Sequence, residues 1–291
     1  MKNKIPKVPE DLIINPIKWK ALCYAINRDK NIMMVGPSGE GKTKAAYRAA
    51  EAMGKSVFPV NLGEAQDAQT YFIGKTILKD GKTQFIESEF LKAIQTPNTV
   101  IILDEFSRAE ADASNILMTV LDEFQRCVRV PEIGNKKIHI AKGVSFIATA
   151  NIGVEYTFTN TMDRASRDRF FHIEMTPLSK SQSFDLISSM YNNPDISEDI
   201  NKICTLAEDV YLNASSSNPT IYNTISTRRK IQFVDMVNYG FTFEEAIIST
   251  ILPLFSTEGG NDSERYAVEK LIEKIHGRLG IIDASEEFSS N

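Results

Sequence analysis

The pattern of apolar positions changes character once along the chain, near Pro177. Before that point, short apolar runs alternate with stretches of helical spacing. The runs read NIMMVG, SVFPVNL, TVIILDE, VSFIATAN and RFFHIEM. They are β-branched or aromatic, and several are continuous rather than alternating. Strands of a parallel sheet covered on both faces read this way. Between them lie KTKAAYRAAEAMG, closed by Gly54, and AEADASNILMTVLDEF, both with helix-like spacing. The alternation predicts an α/β domain with a doubly wound parallel sheet over residues 1–177. Two segments interrupt it. YFIGKTILKDGKTQFIES carries Asp80-Gly81 between apolar-containing arms and predicts a β-hairpin at about 71–86. CVRVPEIGNKKIHIAKG predicts a second at about 128–142, turning at Ile133-Gly134-Asn135.

From 178 to 280 the spacing is helical throughout, and no strand-like run intervenes. This predicts a smaller all-helical domain, with Pro253 kinking or ending the helix that holds it. The last segment, 281–291, is polar and acidic and reads as a flexible tail.

Composition narrows the function classes. With 42% hydrophobic residues in 291, the chain can bury a sizeable core. Lys+Arg 33 against Asp+Glu 38 gives a net charge of −5, which disfavours a broad nucleic-acid-binding face. Cys23, Cys127 and Cys204 are far apart and form no CxxC pair, so a reducing compartment fits better than a disulfide framework or zinc site. His139, His172 and His276 have no metal-ligand spacing. The N-terminus MKNKIPKVPEDL has no apolar h-region, and no run approaches the ~20 residues that span a bilayer. These features predict a cytoplasmic protein with no membrane attachment. Trp19, with Leu22, Ala25 and Ile26, forms an apolar helix stripe that reads as core, with the border of a base pocket as the other reading.

The candidate chemistry lies at the ends of the apolar runs. GPSGEGKT, from Gly36 through Pro37, Ser38, Gly39, Glu40, Gly41 and Lys42 to Thr43, matches G-x-x-x-x-G-K-[ST] after a strand and before a helix. Glycines let successive N–H groups turn inward around phosphate oxygens at a helix N-terminus. Lys42 would reach the β- and γ-phosphates, and the Thr43 hydroxyl would ligate Mg²⁺. TVIILDEFSR ends a strand in two carboxylates; Asp104 would hold the Mg²⁺ shell and Glu105 would polarise a water. The other reading of such a pair is a solvated strand end. Asn151, ending FIATAN, would orient the attacking water, unless it only forms the turn before Gly153. Arg164, Arg167 and Arg169 precede another strand. One of them would stabilise charge developing in a neighbouring subunit's site, or all three are a solvated helix end. In TISTRRKIQF, Thr224, Ser226 or Thr227 would cap a helix, and Arg228 or Arg229 would report the nucleotide state to the helical domain.

The order of these motifs resembles the AAA+ ATPases from about Asn15 to Phe255. Walker A (Gly36–Thr43), Walker B (Asp104, Glu105), sensor 1 (Asn151), the RDRF arginine (Arg169) and the STR of sensor 2 (Arg228) fall in the family's order. LDEFSRAEADASNILMTVLDE, the hairpin before sensor 1, RDRF and ISTRRKIQFVDMVNYG are similar to the MoxR group, especially its CbbQ/NirQ and CobS-like branch. The first hairpin matches that group's insert in helix 2, and the second its pre-sensor-1 hairpin. The resemblance implies an αβα core with a helical lid, assembled as a ring, usually a hexamer, with ATP between subunits. Asp104 and Thr43 would handle Mg²⁺, Glu105 would activate water, Arg169 with Arg167 in reserve would be the finger, and Arg228 would be sensor 2. Asn61 would match the polar residue that restrains the catalytic glutamate. It further implies a remodelling chaperone for a protein client, often working with a von Willebrand factor A-domain partner. Two other functions compete: an McrB-like NTP-driven nucleic-acid motor, with Lys75, Lys79, Lys82, Lys136 and Lys137 lining a pore, and a nucleotide-gated scaffold without turnover. An intact Glu105 argues against the scaffold.

Overall fold

A computed structural model describes residues 5–63, 67–151 and 168–280. The first of two compact units runs from Met1 to Thr176, the second from Pro177 to Asn291.

In the first unit, α1 (Pro16–Asn27) precedes β1 (Ile32–Gly36), α2 (Lys42–Ala52) and β2 (Ser56–Asn61). A short α3 (Ala68–Phe72) leads into the hairpin β3 (Gly74–Lys79) and β4 (Lys82–Glu87). Then come α4 (Glu89–Ile94), β5 (Thr99–Asp104), α5 (Ala111–Leu121), the hairpin β6 (Cys127–Val130) and β7 (Lys136–His139), β8 (Ser145–Asn151) and β9 (Phe171–Glu174). Five strands form one parallel sheet in the order β2-β5-β8-β1-β9. The α/β fold class expected from the alternating runs is met.

The strand composition explains the layering. Side chains alternate across a sheet, so a strand covered on both sides needs apolar residues at every position. Ile32, Met34, Val100, Ile102 and Ile147 pack on one face with Trp19, Leu22 and four alanines of α2, Ala45, Ala46, Ala49 and Ala50. Met33, Ile101, Leu103, Phe146 and Ala148 pack on the other with α3, α4 and α5. Each fully buried aliphatic side chain contributes about 1.5–3 kcal/mol of transfer free energy, so these central strands hold the domain together. Trp19 is core, 2% exposed, and its indole N–H donates to the Pro6 carbonyl at 2.8 Å. Pro59 is tolerated because β2 is an edge strand.

The first hairpin starts later than the sequence predicts. Tyr71 and Phe72 belong to α3, whose N-terminus Asp67 caps by accepting from the Thr70 N–H at 3.1 Å. Burial decides this: Phe72 is fully enclosed and meets Phe90 edge to face, with ring centroids 4.8 Å apart. Asp80 and Gly81 form the expected turn, both with positive φ, and Leu78 near the tip is 77% exposed.

In the second unit, α6 (Lys180–Tyr191), α7 (Ser197–Ala214), α8 (Thr227–Tyr239), α9 (Phe243–Thr250) and α10 (Glu264–Ile275) enclose a separate core that includes Ile200, Ile203, Phe233, Ile247 and Val268. Capping boxes at Ser179/Gln182 and Thr242/Glu245 start α6 and α9. α9 stops at Thr250, and a short 3₁₀ turn, Leu252–Leu254, accommodates Pro253. Among the described residues of this unit there is no strand.

Candidate functional site

Parallel register brings four strand ends together. Gly36 pairs with Asn151, and Asn61 with Asp104. The glycine loop therefore leaves β1 beside the ends of β8, β5 and β2, at the carboxyl edge where open α/β sheets bind ligands.

The loop conformation needs its glycines. Gly39 and Gly41 have φ of +75° and +79°, the left-handed region in which a side chain is strained. Gly41 stands before α2 without a side-chain cap, so the first N–H groups of that helix have no capping side chain there. Gly36 is required for a different reason: a Cβ there would stand 2.1 Å from the Met175 carbonyl oxygen. Pro37, Ser38 and Glu40 complete the turn between these glycines.

Lys42 joins the loop to β8. It is 6% exposed, and its Nζ donates to the carbonyls of Gly36 (2.9 Å) and Pro37 (2.7 Å) and to Asn151 Oδ1 (2.8 Å). A buried ammonium needs such partners, because an uncompensated charge in the interior costs several kcal/mol. Its carbonyl partners are ones a phosphate oxygen could replace. Beside it, the Thr43 hydroxyl donates to Asp104 Oδ1 at 3.0 Å. The Thr149 hydroxyl donates to the same oxygen and accepts from the Glu105 N–H at 3.2 Å. Thr43 and Asp104 are hard oxygen donors held together, which fits Mg²⁺, an ion that takes one or two protein ligands and completes its shell from phosphate and water. Among the described residues no group of three His, Cys, Asp or Glu side chains could cage a metal by itself.

Glu105 adopts φ 54°, ψ 44°, left-handed geometry that is uncommon for a non-glycine residue. This turns its side chain away from the β5 alternation. Its Oε2 lies 3.0 Å from Arg108 Nη1. The same carboxylate and Asn61 Oδ1 border Gly63, since a Cβ there would stand 3.4 Å from each. Asn61 Oδ1 accepts from the Gly63 N–H at 3.1 Å.

The structure thus brings together Gly36, Lys42, Thr43, Asp104, Glu105 and Asn151. It does not bring Arg169 to them. Phe171 pairs with Ile32 at the amino end of β1, whereas the loop leaves from Gly36 at the other end. Four steps of ~3.3 Å put roughly 13 Å between those levels, and Arg169 lies further back still. There Asn31, 4% exposed, donates from Nδ2 to the carbonyls of Leu121 (2.6 Å) and Arg169 (3.2 Å). The Arg169 guanidinium lies 3.9 Å from Asp122. The Gln125 and Phe124 N–H groups, and then Arg169, hold the Asp122 carboxyl below its ordinary value. Arg164 and Arg167 lie outside the described residues. Arg228 is exposed in the first turn of α8, whose N-cap is Ser226, and Arg229 donates to Gln232 at 2.8 Å.

Three residues were missed by the sequence reading. Thr149 is hidden inside an apolar run, although it stands two positions before Asn151 and so on the same face of β8. Arg108 follows Glu105 by three residues in DEFSR, a spacing that one helical turn closes. Asn31 carries no local signal; only tertiary packing brings its side chain to the Leu121 and Arg169 carbonyls.

Strand, glycine loop, buried lysine and strand-end acid together define a P-loop nucleoside-triphosphate-binding domain. Residues 31–170 match the AAA domain, dynein-related subfamily. The chain is 28% identical over 255 residues to BssE of Thauera aromatica, a protein named as a proposed chaperone; the match covers 86% of this chain and 80% of the relative. It is 28% identical over 247 residues to an uncharacterized protein of Staphylococcus saprophyticus, covering 83% of this chain and 90% of the relative. A Staphylococcus aureus protein is 26% identical over 248 residues, with the same coverage of 83% and 90%. Among the described residues no helix is long and apolar enough to cross a membrane.

Proposed function

We propose that this protein hydrolyses ATP in a Mg²⁺-dependent reaction within an AAA+ ring, and that the cycle remodels or activates a partner protein in the manner of the MoxR group. The observation that carries the proposal is the interlocked set Lys42–Asn151 and Thr43–Asp104–Thr149 at the carboxyl edge of the sheet. On binding, Lys42 exchanges loop carbonyls for β- and γ-phosphate oxygens, while the Gly39–Gly41 turn offers backbone N–H groups. Thr43 and Asp104 would hold Mg²⁺, which neutralises charge developing on the phosphate oxygens. Asn151, hydrogen-bonded to Lys42, would orient a water, and Glu105 would accept its proton.

Arg169 lies beyond the amino end of the sheet, away from its own chain's loop, and in this reading it would serve a second copy. A ring of such interfaces, usually a hexamer, is what the resemblance implies. Arg228 would act as sensor 2 from the helical unit. The similarity to BssE supports a protein client. A client is worked on only if it binds the nucleotide states with different affinity. A von Willebrand factor A-domain partner and a cytoplasmic location belong to the same proposal.

The test is phosphate release from ATP as a function of protein concentration. Wild type should show a specific rate that rises with concentration, and Glu105→Gln should be at least about 100-fold slower while still binding ATP. Equal rates for the two proteins at every concentration would overturn the proposal.

A further inference from the structure

We infer that Asn31 is a positioning residue for Arg169: its amide sets where the guanidinium stands beside Asp122, and so how that cation is offered to another copy. This rests on the proposed reading in which Arg169 acts in trans. It adds a residue that touches neither the nucleotide nor the reacting atoms.

Three observations carry it. First, Asn31 grips the backbone on both sides of Phe170. Its Nδ2 donates to the Arg169 carbonyl at 3.2 Å, and its own carbonyl accepts from the Phe171 N–H at 2.8 Å. Second, the same Nδ2 donates to the Leu121 carbonyl at 2.6 Å, directly before Asp122. One nitrogen thus joins the backbones of the two segments whose side chains, Arg169 and Asp122, stand 3.9 Å apart. Asp122 cannot follow the cation if that backbone shifts. Its Oδ1 accepts from the Phe124 and Gln125 N–H groups at 3.0 and 2.9 Å, which hold the carboxylate on its own turn. Third, the tie is sheltered. Asn31 is 4% exposed, so water cannot replace its bonds. The neighbouring Lys30–Glu123 pair bridges the same two segments at 2.6 Å, but both side chains are exposed, and such a pair adds little. Among the described residues Asn31 Oδ1 has no partner, so the two donor bonds are the whole contribution of the amide.

Asn31→Leu keeps a similar volume and removes both donors. It should lower kcat for ATP about 10- to 100-fold, the loss that a misplacement of about 1 Å can cause. The Kd for ATP should stay within about two-fold, because Lys42 and Thr43 lie at the other end of the sheet. Mixing separates positioning from support of the fold. Asn31→Leu mixed with Glu105→Gln should recover part of the wild-type rate, since one supplies an intact nucleotide site and the other an intact Arg169. Asn31→Leu mixed with Arg169→Ala should recover nothing, since both lack the same function. Asn31→Ser retains a donor and should fall between Asn31→Leu and wild type. It replaces Asn31→Leu in the mixtures if that variant melts more than about 4 °C below wild type. If both Asn31 variants match wild type while Glu105→Gln is inactive, the role of Asn31 is overturned and the hydrolysis proposal stands. If they are slow and do not recover with Glu105→Gln, although Arg169→Ala does, Asn31 supports the fold and the positioning role is overturned. If Arg169→Ala does not recover either, Arg169 does not act in trans and the inference falls with that assignment. If wild type is no faster than Glu105→Gln, the hydrolysis proposal itself falls and takes the inference with it.

Discussion

The two ends of the parallel sheet carry opposite kinds of chemistry. At the carboxyl end, Lys42, Thr43, Asp104, Thr149 and Asn151 are locked to one another by short hydrogen bonds, and Lys42 and Thr149 are buried. At the amino end, Arg169 is partly exposed beside Asp122, while its backbone is fixed through Asn31. The carboxyl end carries the groups proposed to hold a triphosphate and its metal ion. The amino end carries the cation proposed to act on another copy. Under that proposal the two ends would be two halves of one site, completed between copies.

The largest effect that would sharpen this comparison is at Lys42. Lys42→Ala removes three hydrogen bonds from a charged donor and should weaken ATP binding at least about 100-fold in a fluorescent-nucleotide titration, since charge-assisted bonds are worth ~1.5–3 kcal/mol each. An unchanged Kd would mean that the carboxyl end is not the nucleotide site.

Arg169→Ala should behave differently. It leaves the Kd for ATP within about two-fold and lowers hydrolysis about 100-fold. Mixing it with Glu105→Gln should restore part of the rate, because each variant supplies what the other lacks at a shared interface. If the mixture stays inactive while wild type hydrolyses ATP, the two-ended assignment is broken.

The smallest effect is at Thr149. Thr149→Val keeps the shape but removes the hydroxyl between Asp104 and the Glu105 N–H. Leaving that N–H and carboxylate oxygen without it should cost about 2 kcal/mol, read as a fall in melting temperature of roughly 4–8 °C for a domain of this size. Hydrolysis should fall by about ten-fold, with ATP binding nearly unchanged. Equal effects on binding and turnover would place Thr149 with Lys42 and not between the two acids.

What could be read from the sequence follows from how local each feature is. The central strands were legible because burial on both faces forces continuous apolar residues, as in Val100–Leu103 and Phe146–Ala148. The glycine loop was legible because its φ values restrict Gly39 and Gly41 to one residue type. The Asp80-Gly81 turn and the stop at Pro253 were legible for similar short-range reasons, and Ser226 is one of the three caps expected for α8. The start of the first hairpin was misread because Tyr71 and Phe72 suit a strand by propensity, and only burial of Phe72 against Phe90 makes them helical.

The sequence by itself determined which residues could carry the chemistry: a lysine and threonine after a glycine turn, two acids and an asparagine at strand ends, and arginines elsewhere. Each is fixed by backbone geometry or by the period of a strand, and these act over a few residues. Only the tertiary structure decided which of them meet. Strand order set Thr149 beside Asp104 and Asn151 beside Lys42, and parallel register sent Arg169 to the far end of the sheet. Those contacts join residues some 45 to 109 positions apart, and no local pattern encodes a pairing over that distance.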